Sequence, residues 1–246
     1  MALFGIFQER YDQMPASGGG IAQGLISDPP FSGPDNRPAA LAALIGQPGF
    51  DDGMRNIGQH LVEQHRANWL MNRILSDRGR VVAAYLTLDL YFTDPARRGF
   101  TIAQLRNEAA RHGFASPGRM TAWAASQRLF GLLAVAGHGR PQRLVPTPKF
   151  LTLVRGRMGM VYQSISRFHP MPDFTSATLD RDAVLGAIVA RFAAHYPGGQ
   201  RVMVVTPELD AFADREAGVV MLLSVMLKDQ GGAPIMIADL AREFQV

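Results

Sequence analysis

Residues 101–150 read TIAQLRNEAARHGFASPGRMTAWAASQRLFGLLAVAGHGRPQRLVPTPKF. Their punctuation decides the fold. Thr101 is an N-cap residue, and Ile102, Leu105, Ala109 and Ala110 follow on one helical face. His112-Gly113 ends that helix, with glycine in the position past a helix C-terminus that favours positive φ. Only Phe114-Ala115 intervenes before Ser116-Pro117, a cap followed by a first-turn proline, starts a second helix that runs to about 129–131. Leu132, Leu133 and Val135 then read as a strand, Gly137-His138-Gly139-Arg140-Pro141 as a turn, and Arg143-Leu144-Val145-Pro146 as a returning strand. Thr147-Pro148 caps another helix to about Arg167.

Upstream, Val81, Val82, Tyr85, Leu86, Leu88 and Leu90 make residues 79–92 apolar on most faces, which predicts a buried helix stopped by Asp94-Pro95. Residues 79–152 therefore run helix, helix, tight turn, helix, hairpin, helix. That order is the pattern of a winged helix-turn-helix, with a recognition helix at about 116–130 and a wing at about 133–147. Gly131-Leu132-Leu133 at the end of the third helix, a turn holding basic residues, and then Thr147-Pro148-Lys149-Phe150 resemble the winged-helix regulators of the multiple-antibiotic-resistance regulator (MarR) class. The resemblance covers about 75 residues of the chain. Members of that class usually carry an Asp-x-Arg pair in the wing; here Gly139-Arg140 and Arg143 stand there without an aspartate. The resemblance implies a DNA-binding transcription regulator.

In that pattern the N-terminal half of the second motif helix enters the major groove. Met120, Ala124 and Phe130 have core-facing spacing, and the opposite face is read as Gly118, Arg119, Ala122, Trp123 and Ser126. Arg119 is the candidate for a base contact, because a guanidinium can bind guanine O6 and N7 together. Thr121 and Ser126 are candidates for phosphate or base, the helix start at Ser116 for phosphate, and Trp123 either for DNA or for the core. Arg140 and Arg143 stand at the wing, and Arg97 and Arg98 just before the first helix of the motif, where each can hold phosphate.

The charge is unevenly spread. The net charge of +4 over 246 residues divides into −2 for residues 1–76, +10 for 77–168 and −4 for 169–246. A basic centre of that size is the footprint of a polyanion partner. The flanks read differently. Residues 1–53 are an irregular arm rich in turn formers, such as Ser17-Gly18-Gly19-Gly20 and Asp28-Pro29-Pro30, with one short helix at Arg37–Ile45; helix then starts at about residue 54 and continues to 76. Residues 169–246 are helical, with spans at Leu179–Tyr196, from Thr206-Pro207 onward, and at Asp214–Lys228. The last residues, Ala238-Asp239-Leu240-Ala241-Arg242-Glu243-Phe244-Gln245-Val246, look like the first helix of an incomplete second helix-turn-helix, or like a terminal amphipathic helix packed on its own domain.

The fold class expected is thus mainly α with a small β-hairpin wing, flanked by helical regions. The function expected is a sequence-specific regulator of transcription on double-stranded DNA, acting as a homodimer; the alternative is a winged-helix protein-docking module without DNA binding. Zero cysteine excludes thiolate chemistry and disulfides. His60 and His65 are not at metal-ligand spacing on one helix face, and Asp51-Asp52 with His60 and Glu63 is not favoured over a solvated surface. No phosphate loop or nucleophile elbow appears, so neither an enzyme nor a cofactor is expected. Met1–Phe7 lacks a basic lead and a full apolar core, and Ala217–Leu227 is shorter than the roughly 20 residues of a spanning helix. The expectation is a cytoplasmic protein off the membrane, with no effector ligand marked.

Overall fold

The computed structural model describes residues 42–66, 69–170, 175–195, 212–228 and 235–244. In chain order its elements are α1 (Phe50–Arg66), α2 (Trp69–Leu75), α3 (Arg78–Thr93), α4 (Ile102–Arg111), α5 (Pro117–Leu129), β1 (Leu133–Ala136), β2 (Arg143–Pro146), α6 (Pro148–Ile165), α7 (Ser176–Leu179), α8 (Asp182–His195), α9 (Gly218–Lys228) and α10 (Ile237–Phe244). The chain is mainly helical with a small antiparallel hairpin. The expected features of residues 1–41 and the helix expected from Thr206-Pro207 lie outside the described residues.

Local chemistry sets the central elements. Thr101 caps α4 in a reciprocal box: its hydroxyl accepts from the Gln104 N–H at 3.1 Å, and its own N–H donates to Gln104 Oε1 at 2.8 Å. Ser116 caps α5, with Pro117 in the first turn. Thr147 caps α6 and also donates from its hydroxyl to the Gly131 carbonyl at 2.8 Å, tying the start of α6 to the end of α5. In the hairpin, Leu133 pairs with Pro146 and Ala136 with Arg143. Phe100 adds a one-residue bridge to the other edge of β2, exchanging both backbone hydrogen bonds with Leu144 at 3.0 and 2.7 Å. The lateral order is therefore β1, β2, Phe100.

The main core gathers Phe100, Leu105, Met120, Ala124, Leu132, Leu144 and Phe150 under α3. On its other side α3 packs along α8, where Tyr85 stacks on Phe192 at 4.0 Å between ring centroids. Burial on both sides explains why α3 is apolar all round. A second cluster joins α1, α9 and α10 through Val62, Val220, Leu240 and Phe244.

Several boundaries differ from the sequence reading. Helix α1 begins at Phe50, not at residue 54, with Asp51 and Asp52 in its first turn and Gly53 pressed against Phe168. The helical span expected over 54–76 is two helices. The one expected over Leu179–Tyr196 is the short α7 followed by α8, and α9 starts at Gly218. The tail helix α10 packs on its own chain: Leu240 and Phe244 are buried, Glu243 pairs with Arg66 and with Lys228, and Asn72 Nδ2 donates to the Phe244 carbonyl at 2.8 Å. Among the described residues no helix is long and apolar enough to cross a membrane.

Candidate functional site

The exposed side of α5 follows from its buried side. Met120, Trp123, Ala124 and Gln127 face the core at helical spacing, which leaves Gly118, Thr121, Ala122, Ala125, Arg128 and Leu129 toward solvent. Trp123 is only 6% exposed, so its assignment as a DNA contact is corrected: the indole is packed in the core and cannot reach a duplex. The sequence register takes Met120, Ala124 and Phe130 as the inward set and places Trp123 on the opposite face; Met120 and Ala124 also admit a partner at 123, one residue short of 124 on the same face.

The remaining polar candidates on this helix are partly occupied. Ser116 Oγ accepts from the Arg119 N–H at 3.3 Å as the cap. Thr121 is exposed and donates to the Pro117 carbonyl at 3.0 Å, while Ser126 is half-buried and donates to the Trp123 carbonyl at 2.7 Å. Arg119 points toward α3: its Nη2 lies 3.3 Å from Oδ1 of the buried Asp77, the N-cap of that helix. The side chain is still 54% exposed, so the contact is a weak tether at a wet surface.

The segment before α4 holds two candidates with different surroundings. Arg98 is exposed and bonds back to Asp94, whose carboxyl it holds below the usual range. Arg97 has φ +48, strained for a side-chain-bearing residue. Its guanidinium pairs with Asp182 at the start of α8 and lies 5.4 Å from the centre of the Phe92 ring. Asp182 pairs as well with Arg155 of α6. Arg97 is thus a bracket between α3, α6 and α8. At the wing, Arg143 donates to the Gly99 carbonyl at 2.7 Å, and Arg140 is exposed. Arg98, Gly99, Gln104 and Arg143 line a cleft of about 300 Å³ between the wing base and α4.

The ion pairs change the meaning of the charge map. Of the 14 basic residues between 77 and 168, seven pair with carboxylates: Arg78, Arg80, Arg97, Arg98, Arg111, Arg119 and Arg155. Three of the carboxylates, Asp182, Asp214 and Glu216, come from the acidic C-terminal third. Much of the basic excess is therefore matched within the molecule. Among the described residues Arg106 of α4, Arg128 of α5, Arg140 of the wing and Arg167 just past α6 are exposed and have no acidic partner. Arg106 and Arg128 were not among the sequence candidates; a register fixed on Trp123 would have exposed Arg128. Lys149 donates to the Phe130 carbonyl at 3.1 Å. Among the described residues no group of three His, Asp or Glu side chains is placed to hold a metal ion. Comparison with protein-family models, with curated proteins and with solved structures finds no match to this chain.

Proposed function

We propose that residues 78–146 form a winged helix-turn-helix that binds double-stranded DNA and regulates transcription, α5 lying in the major groove and the 137–142 loop on the flanking backbone. The observation that carries this reading is the placement of three exposed cations without an acidic partner: Arg106, Arg128 and Arg140 sit on α4, α5 and the wing, the three elements that meet DNA in such a motif. The bridge of Phe100 to Leu144 supports it, since it supplies the short strand that this motif places between its first two helices. Small side chains at Gly118, Ala122 and Ala125 would let the helix approach the base edges closely, with alanine methyls toward thymine methyls and Thr121 as the polar reader. The reading includes a two-fold dimer on near-palindromic sites, as is usual for such regulators.

Fluorescence anisotropy with a pool of random duplexes tests it. Wild type should bind at low salt with affinity falling steeply as salt rises. Arg128→Ala and Arg140→Ala should each weaken every sequence and flatten the salt slope by about one. Arg97→Ala should leave the slope unchanged, because that guanidinium is spent on Asp182. Absence of binding at low salt, or slopes untouched by both of the first two substitutions, refutes the proposal.

One observation favours protein docking instead. Leu129 is 83% exposed on the same face as Gly118, Ala122 and Ala125, a side chain a groove in DNA does not need. Leu129→Lys separates the readings: it strengthens duplex binding in the first and leaves a duplex-independent partner unbound in the second.

A further inference from the structure

We infer that Arg78 and Arg119, at the starts of α3 and α5, form a second cationic surface for backbone phosphates of the duplex, and that Asp214 and Glu216 cover it in the free protein. The inference rests on the DNA reading and adds a control to it. The fold brings the two arginines together. Arg119, in the first turn of α5, reaches Oδ1 of Asp77 at 3.3 Å. Gly79 leaves it room: a Cβ there would stand 3.1 Å from Arg119 Nη2 and 3.4 Å from its Cζ. Arg78 opens α3, directly after Asp77. Its guanidinium makes a two-pronged contact with Asp214, Nε to Oδ1 at 3.0 Å and Nη2 to Oδ2 at 2.7 Å. That is the fork with which arginine also holds a phosphate. Beside it, Arg80 Nη1 lies 3.1 Å from Glu216 Oε1, and Arg80 Nε lies 3.2 Å from Asp77 Oδ2. Three arginines thus meet three carboxylates, and two of the three come from one short turn ahead of α9.

That turn is built to present them. The Arg215 N–H donates to the Phe212 carbonyl and the Gly218 N–H to the Arg215 carbonyl, each at 3.1 Å. A Cβ at Gly218 would stand 2.2 Å from the Phe212 carbonyl oxygen, so the turn closes only on glycine. Ala217 holds φ +54, and its N–H donates to the Ser76 carbonyl at 3.1 Å, just ahead of α3. An alanine persists in that conformation only where its surroundings fix it. The result sets Asp214 on Arg78 and Glu216 on Arg80, each across 136 residues of chain.

The contacts of Arg78 and Arg119 are exchangeable. The Asp214 side chain is 62% exposed and that of Arg119 54%, so water screens both pairs and each contributes little to the fold. A duplex phosphate offers the same fork and releases counterions as well. Arg78 itself is largely covered, but its fork meets a carboxyl that is at the surface, so the same edge opens when that carboxyl turns away. Arg80 differs: its Nη1 also donates to the Asn72 carbonyl at 3.0 Å and the Ser76 hydroxyl at 2.6 Å. It stays with the fold, and Glu216 acts on the surface through its charge. With both acids in place these six charges cancel. Without them two positive charges stand uncompensated beside the start of α5.

Fluorescence anisotropy on the random duplex pool tests the inference, at about 0.1 M salt, where charges act mainly within roughly 10 Å. Asp214→Asn with Glu216→Gln keeps the shape of the turn and removes both charges. This double variant should bind about tenfold more tightly than wild type, with a salt slope steeper by about one as Arg78 gains a phosphate. Asp51→Asn with Asp52→Asn removes the same two charges from the exposed first turn of α1. That control should stay within about twofold of wild type, since screening confines the effect of distant charges. Adding Arg78→Met to the first double variant should return its affinity to that of the control. Equal gains from the two pairs overturn the inference, because net charge alone would then be acting. So does a gain that survives Arg78→Met, or wild-type binding that the first pair leaves unchanged, and the DNA reading stands after all three results. No duplex binding by any of these proteins defeats the DNA reading and this inference with it.

Discussion

Replacing Gly99 with alanine should cost about 3 kcal/mol or more and lower the midpoint of thermal unfolding by roughly 6–12 °C, a larger effect than any surface substitution in this chain. Two demands meet at this residue. Its φ is +88, a conformation that side chains rarely adopt. A Cβ there would also stand 2.3 Å from the Leu144 carbonyl oxygen and 2.8 Å from Val145 Cγ1. Backbone cannot yield as a flexible side chain can, so the strand must move. The movement breaks the two Phe100–Leu144 hydrogen bonds and lifts Phe100, 1% exposed, out of the core. It also removes the acceptor of Arg143, the Gly99 carbonyl, from the wing base. Gly118→Ala is the matched control: nothing lies within 4 Å of its Cβ position, and the residue is helical. That variant should equal or exceed wild-type stability by a few tenths of a kcal/mol. Chemical denaturation of both variants checks the pair, and equal midpoints for the two would contradict the close-approach account. In the DNA reading Gly99→Ala also loses duplex affinity, since the wing is no longer held against α4.

The features legible in the sequence are those fixed by neighbours along the chain. The caps at Thr101, Ser116 and Thr147 lie within three residues of the groups they satisfy, and each helix they open starts where the sequence places it. The hairpin likewise falls at the expected strands, because its turn and its alternation are local. What was not legible is carried by long-range partners. Arg97 and Asp182 are 85 residues apart, and nothing in either neighbourhood marks the pair. Counting charges by segment revealed that the centre was basic, but not that the acidic flank folds back to match it. A segment count measures complementarity and surface potential together, and only the ion pairs divide them. The candidate site shrinks accordingly. Arg97 becomes a structural bracket, Trp123 a core residue and Arg119 a tethered side chain, while Arg140 is exposed without an acidic partner and Arg106 and Arg128 join it.

Lowering the pH from 6.5 to about 4 should destabilise the protein by roughly 3 kcal/mol through His65 alone. The imidazole is 1% exposed, and its hydrogen bonds determine its tautomer. Asn72 Nδ2 donates to the His65 carbonyl at 3.1 Å and to the Phe244 carbonyl at 2.8 Å, so Asn72 Oδ1 must accept. The donor is His65 Nδ1, at 2.6 Å. Nε2 is then a bare lone pair, sealed and without a hydrogen-bond partner among the described residues. A second proton would be placed there, in a dry site beside the Arg157 guanidinium. Burial first and Arg157 second therefore bring the pKa from 6.5 to about 4, against the opposing pull of the Asn72 hydrogen bond. The sign follows. The unfolded chain binds the proton first as pH falls, so this stability is complete above pH 6.5, declines below it, and is fully lost only below about pH 4. His65→Asn retains an N–H donor toward Asn72 and removes the titration. Carboxylates such as Glu243, held below the usual range by Lys228 and Arg66 although burial alone would raise it, lose stability in acid in both proteins. The difference between the two pH profiles thus isolates the imidazole. It should narrow steadily from pH 6.5 downward, with wild type losing ground to the variant, and parallel profiles would show that His65 is not held neutral by the fold. Because Asn72 also grips the last turn of α10, the same acid range should release that helix, read as faster amide exchange at residues 240–244 in wild type than in the variant.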